Sequence, residues 1–142
     1  MPAKANAEWK GDLRSGTGTF SAGEGIGGDF SFRSRFEGAS PGSSPEHLIG
    51  AAHAACFSMA LSNILAEGGT PAESVQTEAT VSLRFIDGQP TIDKISLRTV
   101  GRVPGLDEAD FVKQAEAAKV GCPVSRALAS VPEITLEASL AS

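Results

Sequence analysis

The sequence predicts an α+β fold built from an antiparallel sheet and one long buried helix, and three observations carry that reading. Alternating apolar and polar residues, the two-residue period of strands, flank a stretch at 48–65 that is apolar on nearly every side. An Asp87-Gly88 pair divides two alternating stretches, as a tight hairpin turn does. Helical spacing then returns before a last strand-like run at 133–140. Strands, helix, strands, helices and strand is an α+β order. With 142 residues, no internal repeat and no long linker, the chain is expected to form a single domain over 1–142.

Residues 15–28, SGTGTFSAGEGIGG, hold too much glycine for a helix and fit short strands joined by turns. Phe30, Phe32, Ser34 and Phe36 alternate with Ser31, Arg33, Arg35 and Glu37, which predicts a half-buried strand with its charges on one face. Residues 38–45, GASPGSSP, read as a loop. Ser44-Pro45-Glu46 then supplies a hydroxyl cap, a proline at the first helical position and a carboxylate in the first turn. The helix it opens ends before Gly68-Gly69, and a helix hydrophobic all round is a buried one.

Val75, Thr77, Ala79, Val81, Leu83 and Phe85 mark the next strand, and 91–103 its partner beyond the turn. Leu106, Phe111, Ala115 and Ala118 have the spacing of an amphipathic helix over 107–119, closed by Gly121. Cys122-Pro123 opens a short helix reaching about Val131. Three or four strands and two small helices do not cover every face of the long helix, so a second subunit related by C2 symmetry is the simplest cover.

Composition narrows the function. A net charge of −5 and a pI of about 5.0 argue against a nucleic-acid partner and against an anionic membrane surface. No apolar core follows basic residues at the start, and the long helix is interrupted by His53, Ser58, Ser62 and Asn63, so neither a secretory signal nor a membrane span is expected. Two cysteines in such a chain are not expected to be a structural staple, because a reducing compartment keeps thiols reduced. The expected location is cytoplasmic.

Those cysteines carry the chemistry. Cys56, in AAHAACFSMAL, reads alone as a core residue, since free cysteine packs as a small hydrophobe. Cys122 precedes Pro123 at a helix N-cap, where free N–H groups and the helix dipole favour a thiolate. If the fold brings the two together, one thiolate can attack a peroxide O–O bond and the other can condense with the resulting sulfenic acid to a disulfide, with neither metal nor organic cofactor. Arg35 could stabilise a thiolate and a leaving oxygen, and Glu46 could hold its guanidinium. Glu46 and Cys56 lie ten residues apart, about 15 Å along one straight helix, so they share a site only if the helix breaks near Gly50 or Glu46 reaches the Cys56 of a partner subunit. His53, one turn before Cys56, reads best as a helix residue that finds a hydrogen bond. A Cys56–His53 acyl-transfer dyad is a weaker reading, and a zinc site weaker still with two His and two Cys in the chain.

EWKGDLRSGTGT near the start, RFEG at 35–38, PEHLIGAAHAACFSMAL at 45–61, VPG at 103–105 and GCPVSRAL at 121–128 resemble the OsmC/Ohr family of organic hydroperoxide-reducing proteins, and the first two point to its osmotically inducible OsmC branch. The likeness runs over nearly the whole chain. It implies an OsmC-like fold, with antiparallel sheets around a long buried central helix, in an intertwined homodimer with active sites at the subunit interface. It implies Cys56 as the peroxidatic cysteine, Cys122 as the resolving one, Arg35 as the site arginine by its place in RFEG, and Glu46 as that arginine's partner. Arg33, on the same predicted strand face, competes with Arg35. The implied substrates are organic hydroperoxides and, more weakly, hydrogen peroxide, with a lipoyl-type dithiol as reductant. The peroxidatic role of Cys56 runs against the bottom-up preference for Cys122 as the more activated thiol, and an arginine beside Cys56 can outweigh a helix terminus. A redox sensor or small-molecule-binding protein of the same fold, and a hydrolase using Cys56 and His53, are the alternatives.

Overall fold

The computed structural model describes residues 1–39 and 41–142; Ser40, in the expected 38–45 loop, lies outside the described residues. The chain divides into two compact units, Met1–Leu48 and Ile49–Ser142.

In the first unit β1 (Ala5–Lys10), β2 (Thr17–Ala22) and β3 (Ile26–Phe30) form an antiparallel sheet in that order. β2 and β3 are the short strands expected within 15–28. Their apolar side packs the Phe30 ring against Trp9 and Phe20, with centroids 5.4 and 6.4 Å apart. The strand expected over 30–36 is corrected: β3 ends at Phe30, and Phe32–Phe36 is a short helix, α1. Ser31 and Ser34 form a reciprocal capping box, each hydroxyl accepting the other's N–H at 3.0 and 2.9 Å. Phe32 and Phe36 satisfy a four-residue helical spacing as well as a two-residue one, and their rings stack with centroids 4.9 Å apart. Periodicity could not separate the two states here, and the serine caps decide for helix.

The long helix α2 (Pro45–Glu67) starts as expected: the Ser44 hydroxyl oxygen accepts the His47 N–H at 3.3 Å. It runs unbroken past Gly50. The N–H groups of Gly69 and Thr70 close it by donating to the Ala66 and Leu65 carbonyls at 3.1 and 3.0 Å, a Schellman motif. By length and composition α2 is apolar enough to cross a membrane, yet His53, Phe57, Leu61 and Leu65 form a fully buried row along it. The face behind that row stays open in one chain, with Ala51, Ala52 and Ala55 exposed and Met59 75% exposed.

The second unit is built on β4 (Ser74–Ile86), β5 (Gln89–Arg102) and β6 (Glu133–Leu140), in that order. β4 and β5 are the expected hairpin, joined by Asp87 and Gly88 at φ 51° and 78°, the left-handed pair that a two-residue turn needs. The antiparallel expectation fails for β6, which pairs parallel to β5 from Lys94↔Glu133 to Gly101↔Leu140. The reason is the connection: α3 (Glu108–Gly121) and α4 (Pro123–Ala127) carry the chain back to the other end of the sheet, as a parallel pair requires. α4 stops at Ala127, short of the expected Val131. The core joins Phe57, Leu61 and Leu65 of α2 to Ile95 and Leu97 of β5 and to Phe111, Ala115 and Ala118 of α3.

Gly101 is buried under the Phe111 ring, and a Cβ there would overlap the ring's edge. Gly101→Ala is therefore expected to destabilise the protein by about 1–3 kcal/mol through overpacking. The check is the urea midpoint at unchanged m-value; an unmoved midpoint would show that Phe111 yields at no cost.

Candidate active site

Two clusters hold the residues singled out from the sequence, one in each unit. In Ile49–Ser142, α2 carries Cys56, and Cys122 occupies the joint between α3 and α4. Cys122 closes one helix and opens the next. Its N–H donates to the Ala118 carbonyl at 2.9 Å, its carbonyl accepts the Arg126 N–H at 3.0 Å, and its sulfur accepts the Ser125 N–H at 3.4 Å. Pro123 fills the first position of α4, where no N–H is needed. The joint thus fixes the Cys122 side chain, which is fully buried.

The fold brings together two sulfurs 66 residues apart in sequence: Cys56 Sγ and Cys122 Sγ lie 3.0 Å apart. Both cysteines are free thiols and share a hydrogen bond. That bond polarises the pair. Burial pushes the Cys56 thiol up, and the hydrogen bond to Cys122 adds to this, against weaker pulls down from the Val124 N–H and then the Arg126 charge. Burial opposes charge on Cys122 too, but the hydrogen bonds from Cys56 and from the N–H and hydroxyl of Ser125 outweigh it and hold Cys122 below the usual thiol range. Within one chain, then, Cys122 is the more acidic sulfur, as its place at a helix start suggests.

His53 is fully buried and meets Ser125, with Nε2 to Oγ at 2.7 Å, and burial pushes its pKa down. This is the hydrogen bond expected of a helix histidine. No hydrogen bond joins His53 to Cys56 among the described residues, so the acyl-transfer dyad gains no geometric support. Ser125 is the residue that sequence reading missed. The signal was its spacing: Ser125 lies one turn after Cys122, as His53 lies one turn before Cys56, so contact between the two cysteines brings this second pair together.

The other cluster lies in Met1–Leu48 and separates the two arginines. Arg35 grips Glu46 with two nitrogens: Nε is 3.2 and 3.3 Å from Oε1 and Oε2, and Nη2 is 2.8 Å from Oε1. The Glu46 side chain is only 8% exposed, held in the first turn of α2. Arg33 instead pairs with Glu37 at 3.2 Å, one helical turn on, with both side chains largely in solvent. The Arg35 guanidinium also lies 5.4 Å from the centre of the Phe36 ring, which limits its motion. A guanidinium oriented by a buried carboxylate is preset to receive an anion.

A family model described as OsmC-like protein matches residues 37–137. The chain is 47% identical over 141 residues to a protein named Peroxiredoxin OsmC from Escherichia coli K12, covering 98% of this chain and 96% of that one. Among solved structures, the organic hydroperoxide resistance protein OhrB of Bacillus subtilis superposes with a TM-score of 0.72 at 24% identity, covering 97% of this chain and 98% of that one. An organic hydroperoxide resistance protein from Elizabethkingia anophelis gives 0.74 at 20% identity, covering 99% of each chain. At those identities the two structures speak for a shared fold.

Proposed function

The chain belongs to the OsmC family, and from that premise we propose that it is a cysteine-dependent peroxidase that reduces organic hydroperoxides, and hydrogen peroxide more weakly, to alcohols and water. The observation that carries this reading is the 3.0 Å approach of the two free thiols. In the first step the Cys56 thiolate attacks the distal peroxide oxygen. An S–O bond forms, the O–O bond breaks, and the departing alkoxide takes a proton to leave as alcohol, with Cys56 as a sulfenic acid. In the second step the Cys122 thiolate attacks the Cys56 sulfur. The S–O bond breaks, the hydroxide takes a proton to become water, and a disulfide joins the two cysteines. A dithiol of lipoyl type then reduces that disulfide by exchange, closing on itself as a cyclic disulfide and restoring both thiols.

Arg35, oriented by Glu46, stabilises the Cys56 thiolate and the charge developing on the leaving oxygen. An α2 that runs unbroken past Gly50 supports the arrangement in which the Arg35–Glu46 pair serves Cys56 of the partner subunit in a C2 homodimer. The open face of α2, centred on Met59, is the surface such a dimer covers. That arginine reverses the polarity of the thiol pair and makes Cys56 the attacking sulfur. A cytoplasmic setting, rich in dithiol reductant, suits the cycle.

Steady-state consumption of tert-butyl hydroperoxide with dihydrolipoamide tests the reading. Many turnovers are expected, faster than with hydrogen peroxide. Consumption that stops after one equivalent per chain would sink the enzyme and favour a redox sensor.

A further inference from the structure

Among the described residues, His53 is the one fully buried ionisable side chain that the proposed cycle does not use. Its environment is one-sided: Nε2 lies 2.7 Å from Ser125 Oγ, while the buried Nδ1 has no hydrogen-bond partner among the described residues. An imidazole in such a place is neutral and carries one proton, and its contacts select the nitrogen that holds it. A proton on Nδ1 would be a buried donor with no acceptor, and Ser125 would have to spend its own hydroxyl proton on Nε2. A proton on Nε2 avoids both: His53 donates to the Ser125 oxygen, Nδ1 keeps only a lone pair, and the serine proton is free to turn elsewhere. What lies beside Ser125 is Cys122, whose sulfur already accepts the Ser125 N–H at 3.4 Å.

We propose that His53 and Ser125 are positioning residues for Cys122, forming a buried hydrogen-bonded clamp between α2 and α4 that holds the Cys122 sulfur against Cys56 and turns the serine hydroxyl onto it. The assignment of Cys122 as the resolving thiol rests on the function proposed above; the clamp itself rests on geometry. Spacing supports it, since each clamp residue is one helical turn from a cysteine and the two contacts, 2.7 and 3.0 Å, lock the same two helices at adjacent points. The hydroxyl of Ser125 is also among the groups that hold the Cys122 thiol low. In the resolving step the clamp does two things. It keeps the attacking sulfur charged until its electron pair forms the S–S bond, and it keeps α4 from swinging away while Cys56 carries oxygen. The departing hydroxide still takes its proton from solvent.

The elements meeting at Cys122 bring few other ionisable groups. Cys56 and His53 lie on α2 and Arg126 on α4, and Lys119 at the end of α3 is paired with Glu116 at 3.3 Å. A titration of Cys122 therefore reads the clamp. The chain has two cysteines, so in a Cys56→Ser background Cys122 is the only thiol, and the ultraviolet absorbance of its thiolate against pH gives its midpoint directly. Adding Ser125→Ala is expected to raise that midpoint by about one unit, a tenfold loss of thiolate below it. Adding His53→Leu should raise it by a smaller step. Ser125→Thr, which keeps the hydroxyl, should leave it in place. With both cysteines present, Ser125→Ala should slow disulfide closure after one equivalent of hydroperoxide by about tenfold, so that dimedone captures the lingering sulfenic acid. An unmoved midpoint in Ser125→Ala, or an equal rise in Ser125→Thr, would overturn the clamp. The titration needs no peroxide, so a shifted midpoint in a protein without peroxidase activity would uphold the clamp and reject only the proposed function.

Discussion

Cys56→Ser is expected to abolish peroxide reduction, with kcat/KM falling by at least about 10³-fold, or roughly 4 kcal/mol of transition-state stabilisation. A serine hydroxyl in the same place has no accessible anion and no comparable nucleophilicity toward an O–O bond. Intact mass and free-thiol counts give the sharper test. One equivalent of organic hydroperoxide should remove both thiols from the unsubstituted chain together with about 2 Da, the mass of the two hydrogens lost on disulfide formation. Cys56→Ser should keep its remaining thiol and its mass. Cys122→Ser should behave differently from both, losing its one thiol and gaining an oxygen on Cys56, because the first step survives and the second has no partner. These outcomes also settle the order of the thiols. If Cys122 attacked first, as its acidity within one chain favours, the two single variants would exchange phenotypes. Should the thiols outlast a free cysteine, the pair would be a packed core contact and the proposed cycle would fall.

Much of the fold is legible in the sequence where local chemistry and long-range packing agree. Ser44, Pro45 and Glu46 start α2 and the glycines after Glu67 stop it, so both ends of the longest element can be read from its flanks. Asp87 and Gly88 are the residues that tolerate a left-handed turn, and they set the register of the β4–β5 hairpin. The α1 segment reads as a strand because its aromatic spacing fits two periods, and Ser31 and Ser34 fit a strand's alternation as well as a capping box. The parallel β5–β6 pair was legible in principle: two helices between two strands make a crossover, and a crossover returns the chain in the same direction.

The site divides in the same way. Spacing alone could not bring Cys56 to Cys122, since the α2–α4 contact that joins them is made by tertiary packing across 66 residues. Cys122 at a helix start was readable, because the proline beside it fixes where α4 begins. Ser125 is readable from its spacing only once the two cysteines are known to meet, because a serine near a helix start is otherwise an ordinary cap. Its contact with His53 emerges only when the helices are docked.

Arg35→Met is expected to lower kcat/KM by about 10²–10³-fold, the range seen when one preorganised donor is removed from a developing anion. Arg33→Met should leave it within about twofold, because the Arg33–Glu37 pair is an exposed helical ion pair of the kind that contributes little. Arg35→Lys should recover only part of the loss, since an ammonium cannot reproduce the grip of Nε and Nη2 on the Glu46 carboxylate. One complication has a physical remedy. Arg35→Met strands Glu46 in a site where its side chain is 8% exposed, and an unpaired buried carboxylate destabilises a protein by itself. Arg35→Met with Glu46→Leu removes both charges and should recover most of the lost stability. If the arginine acts on the reacting sulfur, the double variant melts near the parent and remains inactive. Activity that returned with stability would make the pair a structural tie between α1 and the start of α2, and would leave Cys56 without the cation that the proposed mechanism requires.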